Sequence, residues 1–139
     1  MVIARLRARR ARLLAPRHRQ PADIVADSDS LAHVSADLAG VGSGALRDAA
    51  LLSGLLIAAA GAAGFNATSA PFVRVAPSGG VSAVLLVEPC HISIHSLPER
   101  GLAIVDVLAR DEAATAKALD VFVRRLAPAS VTSDTRKRG

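Results

Sequence analysis

The side chains able to do chemistry crowd into one stretch of this sequence: Ser82, Cys90, His91, Ser93, His95, Glu99, Asp106 and Arg110. Cys90 is the sole cysteine, so no disulfide can form within the chain. An ionised thiol is a strong nucleophile. A cysteine closing an apolar run is also often just a small hydrophobe. Side chains along a strand alternate between its faces, so His91, Ser93 and His95 share one face and Ile92 and Ile94 the other. Two histidines could approach a metal. No cysteine or carboxylate stands at ligand spacing, and no metal site is expected. Ser82, just after Gly79-Gly80, suits a hydrogen bond to backbone. Asp106, inside an apolar run, suits a buried hydrogen bond. Arg110 suits a surface charge at a strand end.

The elements that must position these groups follow from pattern. Leu31 to Leu38 alternates loosely as a first strand, and Gly40, Gly42 and Gly44 break it. A helix is predicted over about 45–62, stopped by Gly61 and Gly64. Phe65–Val75 and Val81–Val87 read as strands around the turn Pro77-Ser78-Gly79-Gly80. Val84-Leu85-Leu86-Val87 is apolar at every position, as in a strand deep in a sheet. The strand carrying His91 to His95 follows, then a turn over Leu97–Gly101, then a strand over Leu102–Leu108. Asp111–Leu126 is an amphipathic helix with Asp111 as cap. Ala113, Ala116, Leu119, Val123 and Leu126 are expected inside it, with Glu112, Lys117, Asp120 and Arg124 outside. Pro128 ends it, and Ser130–Ser133 suits a short edge strand. The order implies an α+β fold: a two-layer sandwich of one antiparallel sheet with helices on one face.

The 139 residues suffice for one domain. The formal charge of +5 belongs to the ends. Seven of the seventeen basic residues fall within the first twenty positions, where no acid stands, leaving about −2 for the rest. Residues 1–30 therefore read as an Arg-rich, disordered arm, and 31–135 as the folded domain. The arm could touch nucleic acid or anionic lipid. With no Trp or Tyr and three Phe there is little to stack on bases, so a nucleic-acid partner is not expected. The N-terminus is too charged for a signal peptide, so a cytoplasmic location is expected. Residues 49–63, the one membrane suspect, fall short of the ~20 needed to span.

Taken together, Gly80-Val81-Ser82, an apolar strand, Cys90-His91, Ile94-His95, Pro98-Glu99, Gly101 and Val105-Asp106 resemble the prokaryotic S-adenosylmethionine decarboxylase family. Its pattern runs Gly-Val-Ser, strand, Glu-Ser-His, Ile-His, Trp-Pro-Glu, Gly, Val-Asp, without a gap over about thirty residues. The order of strands and helices extends the resemblance over roughly 31–135.

The resemblance implies a proenzyme that cuts itself, here between Pro89 and Cys90, and turns the residue after the cut into a pyruvoyl group. That group takes the place of pyridoxal phosphate as electron sink for decarboxylation. It implies roles in processing for Ser82 and His95 and a substrate-facing role for Glu99. A homodimer and a small-molecule substrate, S-adenosylmethionine in polyamine synthesis, come with it. This sequence departs from the pattern at four places. The nucleophilic serine is Cys90, and the preceding glutamate is Pro89. The family's later cysteine, a proton donor, aligns with Arg110, a permanent cation suited to binding a carboxylate. The tryptophan is Leu97, and an adenine-stacking aromatic falls near Ala76. These departures raise two alternatives: the same chemistry on ornithine or arginine, or an uncleaved ligand-binding or regulatory subunit.

Overall fold

The computed structural model describes residues 30–139, so the arm expected over 1–30 lies outside the described residues but for Ser30. Strand β1 (Leu31–Ala39) leads through the one-turn helix α1 (Ser43–Leu46) to α2 (Ala49–Ala62). Strands β2 (Phe72–Val75), β3 (Val81–Val87) and β4 (Cys90–Leu97) follow, then a 3₁₀ turn over Pro98–Arg100. Strand β5 (Leu102–Ala109), helix α3 (Glu112–Leu126) and strand β6 (Ser130–Arg138) complete the chain.

The six strands form one sheet in the order β2-β3-β4-β5-β1-β6, antiparallel throughout. Val34, Leu38, Leu85, Ile92, Ile94, Val105 and Val107 are buried on one face. Helices α2 and α3 pack on each other and on that face. The expected two-layer α+β sandwich is the fold. No helix among the described residues is long and apolar enough to cross a membrane.

Local departures from expectation have physical causes. The helix over 45–62 is two pieces, because Asp48 takes an extended backbone and caps α2 by accepting from the Leu51 amide at 3.0 Å. Between Phe65 and Val75 only Phe72–Val75 pairs, and it meets β3 alone. Ahead of it, exposed Asn66, Thr68 and Ser69 set up no alternation, and Pro71 has no amide to donate. In α3 the buried face is Ala114, Thr115, Ala118, Phe122 and Leu126, with Ala113 and Ala116 outside. Alanines on every side leave the apolar stripe ambiguous, and the bulk of Phe122 decides it. Strand β6 is nine residues long and runs past the expected domain end at 135. It has little apolar character and is held by pairing along all of β1, from Leu31 opposite Arg138 to Ala39 opposite Ser130.

Two contacts fix the ends of the sheet. Gly40, at φ +72°, passes so close to Ala129 that an added Cβ would lie 2.5 Å from the Ala129 Cβ. Buried Ser96 accepts from the Val81 amide at 2.8 Å and donates to the Leu46 carbonyl at 2.6 Å. That hydroxyl ties α1 to the β3–β4 pair.

Candidate active site

Pairing of β3 with β4 runs from Ser82 opposite His95 to Val87 opposite Cys90. Glu88 and Pro89 are left as an exposed two-residue turn, with a cis peptide between them. Cys90 is thus the first residue of β4, at the foot of a tight hairpin. Its side chain enters the helix-covered face and is 4% exposed. Burial pushes the thiol up from its ordinary value, and the positive charge of Arg110 works against that rise. Arg110 follows the end of β5, and its guanidinium lies 5.1 Å over the centre of the Phe65 ring. Arg110, Phe65, Val87 and Glu88 border a cleft of about 680 Å³, together with polar Asn66 and Thr68.

Ser82 and His95 occupy the other face and the other end of the hairpin. Ser82 Oγ and His95 Nδ1 lie 2.8 Å apart in hydrogen-bond contact. His95 is five residues from Cys90, about 17 Å along a strand, and points to the opposite side of the sheet. The two expected processing residues therefore meet each other, but the fold does not bring them to Cys90 of their own chain.

The open face carries a second polar group. Asp106 takes a hydrogen bond from His33 Nε2 at 2.6 Å on one oxygen and from His91 Nε2 at 2.9 Å on the other. Ser35 adds a third donor at 3.2 Å. Burial alone would raise the Asp106 carboxyl, but the bonds from His91, His33 and Ser35, with the charge of His33, together hold it below the ordinary carboxylate value. Glu99 is more than half exposed and lies 3.9 Å from Arg47, which also donates to the Ser78 carbonyl.

Several of these partners carried no sequence signal. His33 and Ser35 sit in β1, far from Asp106 in sequence, and only the β1–β5 register, with Ser35 opposite Asp106, unites them. Phe72 is 66% exposed on β2, beside Arg74, Ser82 and His95 on the open face. An aromatic is thus available four residues before Ala76, on a strand whose expected range did cover it.

A family model described as S-adenosylmethionine decarboxylase matches residues 32–139. The chain belongs to this family. It is 34% identical over 108 residues to an S-adenosylmethionine decarboxylase proenzyme of Aquifex aeolicus, covering 77% of this chain and 79% of that one. It is 37% identical over 100 residues to the S-adenosylmethionine decarboxylase proenzyme of Pyrobaculum aerophilum, covering 71% and 80%. The crystal structure of the adenosylmethionine decarboxylase from Aquifex aeolicus superposes with a TM-score of 0.72 at 31% identity, covering 78% of this chain and 90% of that one. The S-adenosylmethionine decarboxylase family is pyruvoyl-dependent, and its members form that group from an internal residue after self-cleavage.

Proposed function

We propose that this protein is a pyruvoyl-dependent S-adenosylmethionine decarboxylase, made as a proenzyme that cleaves itself between Pro89 and Cys90. The observation carrying this is the place of Cys90: first residue of β4, directly after an exposed two-residue turn, in a chain that is 34% identical over 108 residues to such a proenzyme.

The chemistry needs little besides that turn. The Cys90 sulfur attacks the Pro89 carbonyl carbon, a C–S bond forms, and the Cys90 nitrogen leaves with a proton, giving a thioester. A base removes the Cys90 α-proton, the Cβ–Sγ bond breaks, and sulfur departs on the Pro89 side. The remaining dehydroalanine gains water and loses ammonia to become the keto group. Once formed, that group withdraws electrons from a bound α-amino acid so that carbon dioxide can leave.

The surrounding residues supply positioning. Arg110, in the cleft beside the turn, meets the substrate carboxylate, and Glu99, in the turn past the far end of β4, supplies from a second copy a charge complementary to a sulfonium or amine. Phe72, exposed on the open face, offers a ring for the adenine. Ser82 and His95 assist processing by acting on a second copy, a reading supported by their distance from Cys90 within one chain. A homodimer stacked through the open sheet faces, related by a two-fold axis, brings the Ser82–His95 end of each chain toward the exposed Glu88-Pro89 turn of the other, and the Cys90 side chain itself stays on the helix-covered face. Phe72, Leu86 and Ile104, all exposed, give that face its apolar area.

Intact mass and a denaturing gel of purified protein test the reading. Two fragments meeting at Cys90, one of them with a carbonyl-reactive N-terminus, are expected. A single full-length species after prolonged incubation refutes it and leaves the uncleaved regulatory subunit. The presence of Arg110 and of Ala76 favours a second substrate class. Release of carbon dioxide from S-adenosylmethionine, ornithine and arginine, measured side by side on cleaved protein, decides between them.

A further inference from the structure

Two of the positions at which this chain departs from its family's pattern, Cys90 and Arg110, meet at one place in the fold. Strands β4 and β5 pair with His91 opposite Leu108. Cys90, one residue back, therefore lies where β5 ends at Ala109 and Arg110 begins the loop to α3. Arg110 borders the same cleft as Val87 and Glu88, which lead into the scissile turn. Its guanidinium is held over Phe65, so the cation has a defined seat.

We infer that Arg110 is a positioning residue for self-cleavage: the fixed positive charge that favours the anionic form of the Cys90 sulfur as it attacks and as it departs. The inference rests on the self-cleavage reading above. A serine hydroxyl attacks without first becoming a stable anion. A thiol reacts as thiolate, and Cys90 is in an apolar setting that opposes ionisation. Helix α2, packed nearby, carries no charged residue. Glu88, two residues before Cys90, is exposed and of the wrong sign. Asp111 and Glu112 follow Arg110 at the start of α3, and the Asp111 carboxylate is engaged in capping, accepting from the Ala114 amide at 2.8 Å. Arg136 and Lys137 on β6 share a second cleft with Arg110, and His91 follows Cys90 but points to the open face. Of these cations Arg110 is the one that borders the cleft of the scissile turn and whose charge bears on the Cys90 thiol, and it stays charged at every working pH.

The departing group differs for the same reason. With serine, elimination leaves a carboxylate on the residue before the cut. With Cys90 the Cβ–Sγ bond breaks and its electron pair goes to sulfur, so Pro89 ends as a thiocarboxylate. Water later replaces that sulfur and hydrogen sulfide is released. A fixed guanidinium at the cleft suits this second anion as it suits the first.

Three variants test the inference. Arg110→Gln is expected to slow cleavage roughly tenfold or more, while Arg110→Lys, which keeps the charge, stays within about threefold. Alkylation of Cys90 by iodoacetamide in the uncleaved fraction, followed against pH, is expected to move to higher pH in Arg110→Gln. In a Cys90→Ser background, Arg110→Gln is expected to cost less than with the native thiol, because the departing carboxylate is then the only anion it meets and the attacking hydroxyl is not ionised. Mass spectrometry of freshly cut wild-type protein is expected to find the N-terminal fragment heavier by the difference between sulfur and oxygen. An unchanged alkylation profile in Arg110→Gln overturns the inference, as does an equal slowing whether the nucleophile is the native thiol or the hydroxyl of the Cys90→Ser variant. If the wild-type chain stays whole, the self-cleavage reading falls, and the alkylation profile still decides whether Arg110 governs the thiol.

Discussion

The two faces of the β3–β4 hairpin follow opposite rules. On the helix side, Val81, Ala83, Leu85, Val87, Cys90, Ile92 and Ile94 are buried and merge into one apolar core. On the open side, Ser82, His91, Ser93 and His95 alternate with Val84 and Leu86 and look onto solvent. Cys90 is the exception that links the two: a reactive group turned into the apolar face, at the very end where an exposed turn begins. One face supplies stability and holds the turn still, and the other supplies polar groups that a second chain can use. Burial is what makes the thiol a poor acid, so the chain needs a charge at that end.

The sharpest way to break the contrast is Cys90→Ala. Removing one sulfur atom from the buried face takes away the nucleophile, so self-cleavage is expected to stop altogether on a denaturing gel. The fold should lose only about 1 kcal/mol, since a small side chain is replaced by a smaller one. Unaltered cleavage would move the reactive residue elsewhere.

His95→Ala is expected to slow cleavage by about a hundredfold, the usual contribution of a positioned acid–base group. Complementation gives the effect its meaning. In a mixed population, a Cys90→Ala chain still carries its own His95 and can serve the intact Cys90 of a His95→Ala chain. Cleavage of the His95→Ala chains should therefore return when the two are co-expressed and purified together. Failure of that rescue, with dimers formed, would put His95 to work inside its own chain and contradict the separation of the two sites.

Phe122→Ala tests the stable face. Phe122 is fully buried beneath the sheet, so its truncation is expected to cost about 3–5 kcal/mol in chemical denaturation. Phe72→Ala on the open face should cost the monomer about 0.5 kcal/mol or less. Comparable losses would mean that the open face is packed in solution too.

Much of this contrast was legible in the sequence, and its limits have physical reasons. Strand β3 keeps the expected bounds Val81–Val87, set by the turn before it and the apolar run that closes it, and the sharing of one face by His91, Ser93 and His95 follows from strand period alone. The spacing of Ser82, Cys90, His95 and Glu99 carried the family resemblance. What remained hidden depends on register between distant strands. Asp106 suggested a hydrogen bond, but its partners, His33 and His91, come from strands on either side of β5. The length of β6 was hidden because backbone pairing on an edge needs no apolar side chains. The buried face of α3 differs from the expected one because alanines surround the helix. The separation of Cys90 from Ser82 and His95 is a matter of parity: an odd spacing of five along a strand reverses the face.

The smallest effect concerns the Asp106 network, and its sign can be worked out. The folded protein holds this carboxyl below its ordinary value, so folding favours the ionised form. The resulting stability is complete above the value of the unfolded chain and is lost as pH falls through the lower, folded value, in the region below about pH 4. Asp106→Asn keeps the shape but removes the charge that gathers the three donors. Hydrogen bonds to a charged group contribute ~1.5–3 kcal/mol, and partial exposure of this one lowers the expected loss to ~1–2 kcal/mol. Thermal melts from pH 3 to 7 should show a constant gap between wild type and variant at the upper end, closing as the wild-type carboxyl takes up its proton. A gap that does not narrow even after the wild-type carboxyl has been seen to take up its proton would mean that the variant lost packing and not charge, and the open face would then resemble the core more closely than its side chains indicate.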